Sequence, residues 1–183
     1  MLSAKEAKLK LIEGNLSYLG AGVNSGDISP EIRERTAREG QKPCAIIITC
    51  SDSRVIPESI FSAGIGELFV IRVAGNVLDN HQLGSIEYAA EHLGTKLIVM
   101  LGHTHCGAVD AALSGHTDGF ISYITDDIRE AVGDEKEPLQ AARLNVLHGV
   151  RRIREEFSEH PEIAGITVRG ALYDIETGTV EWL

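Results

Sequence analysis

Apolar residues in this chain fall into short unbroken runs, separated by longer stretches in which they recur every three or four positions. The runs at 44–49, 68–73 and 96–101 are rich in Ile, Val and Leu and predict strands covered on both faces. Two more, 166–173 and 179–182, flank Glu176-Thr177-Gly178 and predict a hairpin. Between the runs the spacing is helical. Residues 3–19 place Leu9, Ile12, Leu16 and Leu19 on one stripe, ended by Gly20 and Gly22. Pro30 opens a short polar helix that Gly40 stops, and Pro57 opens another over 58–63. Asn80 reads as the cap of a helix over 81–92 whose apolar side carries Leu83, Ile86, Tyr88, Ala90 and Leu93. Helices over 108–113 and 120–131 follow on either side of a loop at 114–119. A longer one starts at Pro138, with Leu139, Ala142, Val146, Val150, Ile153 and Phe157 in line.

Strands alternating with helices predict an α/β fold: a mostly parallel central sheet flanked by helices, with an N-terminal helical arm. No repeat, low-complexity tract or linker interrupts it, so 1–183 reads as one domain, with an arm at 1–40 and a core at 41–183. The stripe of the first helix has no neighbour in sequence to cover it. It must rest on its own sheet or on a partner subunit, a hint of dimerisation.

A chain of 183 residues can bury a sizeable core. Its formal charge of −10 argues against a nucleic-acid surface, which needs clustered Lys and Arg. Nothing approaches the roughly 18 continuous apolar residues of a membrane span. The start is charged and periodic, unlike a signal peptide, so no membrane partner and a cytoplasmic location are expected. Three cysteines make an odd count, and two sit in polar clusters, so no disulfide framework is expected. Cys44, inside the first run, reads as a small buried hydrophobe.

The chemistry lies where two runs end. Cys50-Ser51-Asp52-Ser53-Arg54 follows the first run, and Gly102-His103-Thr104-His105-Cys106-Gly107 follows the third. In open α/β sheets ligands collect outside the carboxyl ends of strands, where both clusters fall. Cys50, His103 and Cys106 form a zinc-favouring donor set, and three strong ligands mark a catalytic rather than a structural site, with Asp52 a possible fourth. His105 adjoins Cys106, and neighbouring side chains rarely point at one ion; it reads as a pocket wall or a loop hydrogen bond. Asp52 and Arg54 are spaced for a bidentate fork that keeps the carboxylate ionised and aimed. Two thiolates neutralise the formal charge of zinc, so its water is acidified less than by three imidazoles, and a poised carboxylate offsets this.

These two clusters resemble the signatures of β-class carbonic anhydrases: Cys-Ser-Asp-Ser-Arg-Val at 50–55 and His-x-x-Cys-Gly at 103–107. The likeness continues through Gly66 to Arg72, Ala74-Gly75-Asn76 and Ser85 to Ala89, strongest over 40–113. It implies a zinc enzyme for the reversible hydration of carbon dioxide to bicarbonate and a proton. Cys50, His103 and Cys106 are then the ligands, and Asp52 and Arg54 the pair that orients a zinc-bound hydroxide. Gly107 would give a backbone N–H to the substrate, and Gln41 a donor across a dimer interface. Phe69 and Tyr88 match pocket positions, partly supplied by a partner subunit, and His92 matches a possible proton-transfer histidine. Arg72, Asn76 and Glu87 match supporting positions. A homodimer or higher even oligomer is implied. Ile47 stands where members regulated by non-catalytic bicarbonate carry Trp, which implies an open, plant-like site. Two alternatives stay open: hydrolysis of carbonyl sulfide or carbon disulfide on the same fold, and a non-enzymatic zinc-binding or redox-sensing protein.

Overall fold

The computed structural model describes residues 1–115, 118–160, 163 and 165–183. His116 and Thr117, in the expected loop at 114–119, lie outside the described residues. Five strands form one sheet: β1 Ala45–Thr49, β2 Leu68–Arg72, β3 Leu97–His103, β4 Thr167–Tyr173 and β5 Val180–Trp182. Their order is β2-β1-β3-β4-β5. The first four run parallel, and β5 is antiparallel to β4, closing the expected hairpin. The mostly parallel α/β architecture is therefore observed.

The central strands show why their runs are continuous. Every residue of β1 and β3 is buried, because helices cover both faces. Ile46, Ile48, Ile98 and Met100 point to one side, packing with α4 (Asn80–Glu91) and α7 (Pro138–Glu156). Ala45, Ile47, Val99 and Leu101 point to the other, against α1 (Ala4–Ala21) and α3 (Pro57–Ile60). Each fully buried Ile or Leu contributes about 1.5–3 kcal/mol relative to exposure. Ile47 is one of them, packed in the core. A third cluster joins Cys50 and Cys106 to Val109, Ala112, Ile128, Val132 and Ala141, so α5 (Gly107–Leu113) and α6 (Ile121–Val132) lid the sheet's carboxyl end.

Of the two resting places expected for the leucine stripe, its own sheet is not the one used, and the arm packs there through another face. Ala7, Leu11 and Asn15 are its buried residues, while Leu9, Leu16 and Leu19 are exposed, Leu16 at 63%. The reason is close approach. A Cβ on Gly14 would stand 1.9 Å from the Phe61 carbonyl oxygen, so the helix can come this near only with glycine at that position. Asn15 is held there by donating to the Ile60 and Gly178 carbonyls and accepting from the Val180 N–H. The substitution Gly14→Ala is accordingly expected to cost about 1–3 kcal/mol or more. A denaturant midpoint unchanged from the parent chain would refute that packing account.

Three smaller expectations also shift. Asp79, not Asn80, caps α4: its Oδ1 accepts from the His81 and Gln82 N–H groups, and the Gln82 side chain returns a bond to the Asp79 N–H. The strand expected to stop at 101 runs on, with His103 paired beside Tyr173. In α7, Leu139 is exposed, and a second buried line of Ala141, Asn145 and Gly149 lies beside the expected one.

Candidate metal centre

Parallel pairing of β1 with β3 sets the ends of both strands side by side, and the Thr49 hydroxyl donates to the Leu101 carbonyl at 2.8 Å. The two polar clusters therefore leave the sheet at adjacent points. Cys50, His103 and Cys106 are all buried, and their ligand atoms lie within 4.8 Å of one another.

His103 carries the most telling feature of the site. Its Nδ1 lies 2.8 Å from the Thr104 carbonyl oxygen, which can only accept, so Nδ1 carries the proton. The lone pair is thereby left on Nε2, which is buried without a hydrogen-bond partner among the described residues. An orphaned acceptor of this kind costs about 1–3 kcal/mol unless something occupies it. Two cysteine sulfurs beside it complete a donor set that fits a thiophilic metal ion.

The two thiols share one proton unequally. The Cys50 thiol is drawn down towards thiolate, chiefly by the Cys106 side chain, while Cys106 is pushed up by the same contact and by burial. Backbone N–H groups of Gly75 and Asp52 also reach Cys50 Sγ, at 3.2 and 3.4 Å. Cys44 lies outside this group, just before β1, and burial pushes its thiol up, in keeping with a small buried hydrophobe.

Beside the cluster, Arg54 grips Asp52 as a fork. Nε and the backbone N–H reach Oδ1 at 3.0 and 2.9 Å, and Nη2 reaches Oδ2 at 2.7 Å. This fork holds the Asp52 carboxyl far below the usual carboxylate range. Nη2 also donates to the His105 carbonyl at 3.0 Å, tying the two loops together. His105 itself is exposed, with positive φ, and its Nε2 stands 3.4 Å from Glu176. It lies outside the ligand cluster. Arg72 braces the first loop by donating to the Cys50 and Asp52 carbonyls at 3.1 and 2.7 Å. Gly107 opens α5, so its N–H has no partner within the helix, and a Cβ there would meet nothing within 4 Å.

Other residues of interest lie elsewhere. Gln41 precedes β1, at the opposite end of that strand from Cys50, and lines a groove with Cys44, Glu67 and His92. Phe69 is opposite Ile46, four residues before Cys50, or about 13 Å along the strand. Its ring meets that of Tyr88 at 6.1 Å, and Tyr88 meets His92 at 5.3 Å. Tyr88 is 47% exposed, and His92 is also exposed, just past the end of α4. Of the supporting positions, Asn76 is buried and reaches Met100 Sδ at 3.7 Å, while Glu87 is half-buried on α4. Asn145, on α7, donates to the Gly75 carbonyl at 2.8 Å. Sequence reasoning gave it no role; its signal was a polar residue between the apolar positions of that helix.

The fold and this cluster define an α/β protein with a site at its strand ends able to hold a metal ion. A family model described as "Carbonic anhydrase" matches residues 45–180, and the chain belongs to that family, in its β class. Carbonic anhydrase 2 of Mycobacterium tuberculosis is 47% identical over 118 residues, 63% of this chain and 56% of that protein. The carbonic anhydrase of Mycolicibacterium smegmatis is 48% identical over 129 residues, 70% and 59% of the two chains. This chain thus spans less than two thirds of the length of these mycobacterial relatives. Among solved structures, the β-carbonic anhydrase CcaA superposes with a TM-score of 0.72 at 25% identity, covering 97% of this chain and 92% of that one. The Coccomyxa β-carbonic anhydrase in complex with acetazolamide gives 0.70 at 28% identity, covering 86% of each chain. Two tetrameric β-carbonic anhydrases of Sordaria macrospora are represented at 0.69 and 27%, with 97% of each chain covered.

Proposed function

We propose that this chain catalyses the reversible hydration of carbon dioxide to bicarbonate and a proton, with one zinc ion per subunit held by Cys50, His103 and Cys106. The observation that carries the reading is the bare Nε2 of His103, buried against two thiols beside an Arg-gripped carboxylate. When bound, the ion supplies the Lewis acidity that makes water a nucleophile near neutral pH.

The chain's own groups do the rest. Asp52 stays ionised, and Oδ2 accepts one bond from Arg54, which leaves a second lone pair for the hydrogen of an attacking water. That acceptor aligns the water oxygen towards the substrate carbon. The Gly107 N–H donates to a substrate oxygen, where charge develops as the carbon is attacked. The proton released must then reach solvent.

Gln41, Phe69, Tyr88 and His92 serve this chemistry from a second copy. They lie together along β2, α4 and the start of β1, away from their own chain's cluster. In an even oligomer, Gln41 donates to the substrate, Phe69 and Tyr88 wall an apolar slot, and His92 takes part in proton transfer. The tetrameric Sordaria relatives support such assembly. Among the described residues no helix is long and apolar enough to cross a membrane, and free thiols at the site suit a reducing cytoplasm.

Stopped-flow carbon dioxide hydration on protein of measured zinc content tests the reading. Hydration well above buffer, abolished by chelation and restored by zinc, is expected. Equimolar zinc without hydration at pH 7 and above would reduce the site to metal binding.

A further inference from the structure

Cys50 receives hydrogen bonds from two backbone N–H groups, and one of them depends on a distant helix. Gly75 is buried in a 3₁₀ turn, Ala74–Asn76, in the left-handed region at φ 68°, ψ 12°. In that conformation its N–H meets Cys50 Sγ, at 3.2 Å. A side chain there is barred twice, by the positive φ and by Ile128 and Ala108, which a Cβ would approach to 2.8 and 3.0 Å. What secures the turn from its other side is Asn145, itself buried, whose Nδ2 donates to the Gly75 carbonyl at 2.8 Å.

From this geometry we infer that Asn145 is a positioning residue for the metal centre. It fixes the Gly75 carbonyl, and so holds the Gly75 N–H on the Cys50 sulfur. An N–H bond to a thiolate withdraws charge from sulfur and so tempers its donation to a bound ion. Asn145 lies outside the ligand cluster, and its side chain acts on that cluster through the Gly75 carbonyl. The chain Asn145 to Gly75 to Cys50 joins α7 to β1 across 95 positions of sequence. The inference rests on the reading that Cys50 ligates a metal ion.

The test uses the cobalt-substituted full chain, whose thiolate-to-cobalt absorption reports sulfur donation directly. Asn145→Asp keeps shape and removes the donor; Asn145→His restores a donor at a similar distance along the side chain. Asn15→Asp, at the other buried asparagine that ties a helix to loops, controls for lost stability. For Asn145→Asp we expect a displaced charge-transfer band and metal released to a chelator about 10- to 100-fold faster. The band should return towards its original position in Asn145→His and stay unmoved in Asn15→Asp. An unmoved band and parental release in Asn145→Asp would overturn the assignment, as would an equal displacement in Asn15→Asp. If the parent chain takes up neither cobalt nor zinc, the metal reading falls and this one with it. Normal uptake and hydration with an unmoved band overturns this one alone.

Discussion

Asn at position 52 should lower carbon dioxide hydration by about 10²–10⁴-fold while zinc content stays at that of the parent chain. The amide has the shape of the carboxylate, and one oxygen can still accept from Arg54. It lacks the second acceptor and the negative charge, so the attacking water loses its orienting partner. The ligand side chains are untouched. The pH behaviour separates this from a general loss of folding. The folded pKa of Asp52 is depressed by Arg54, so the pair's contribution to stability is complete above about pH 4, the unfolded value. It is lost only as pH falls through the lower folded value. The gap in stability between parent and variant should therefore be flat through neutrality and narrow in acid. Parental turnover at full zinc occupancy would remove Asp52 from the role assigned to it.

Ala in place of Cys50 or His103 is expected to strip zinc almost entirely on dialysis, and activity with it. For His103 the thermodynamics are specific. In the metal-free parent the Nε2 lone pair is buried and unused, a penalty of about 1–3 kcal/mol. An ion relieves it, and binding to the folded state alone raises stability further as free zinc exceeds its dissociation constant. The melting temperature of the parent should climb with added zinc and drop with chelator, whereas that of His103→Ala should hardly respond. Elemental analysis is the direct check. Full metal retention by either variant would take that residue out of the ligand set.

Much of this was legible because the chemistry sits in continuous sequence. Short apolar runs ending in polar clusters can be read without a fold, and a parallel sheet then dictates that those ends be neighbours. The exclusion of His105 rested on adjacency, and the structure turns that side chain outward to Glu176. Other features depend on packing that periodicity does not encode. In α1 the leucine spacing marks a stripe that its own sheet leaves exposed, and the face that packs there is shaped by the close approach of Gly14 to Phe61. Asn145 gave a signal that could not be interpreted, for a similar reason. A lone amide in a helix has no meaning until its partner, the Gly75 carbonyl, is known. Gln41, Phe69 and Tyr88 could be named only by resemblance, because nothing in one copy of the chain brings them to the metal cluster.

The neighbouring exits of β1 and β3 bear on how the protein is made as well as how it works. Cys50 and His103 are 53 positions apart, and β3 meets β4 across a comparable stretch. Such pairings close long loops before any contact rewards them, so folding should be slow beside that of a helical bundle of equal size. An unfolded chain offers an ion only scattered donors. A metal ion taken up at this site would therefore come late in maturation, latching shut the central seam of a sheet already assembled.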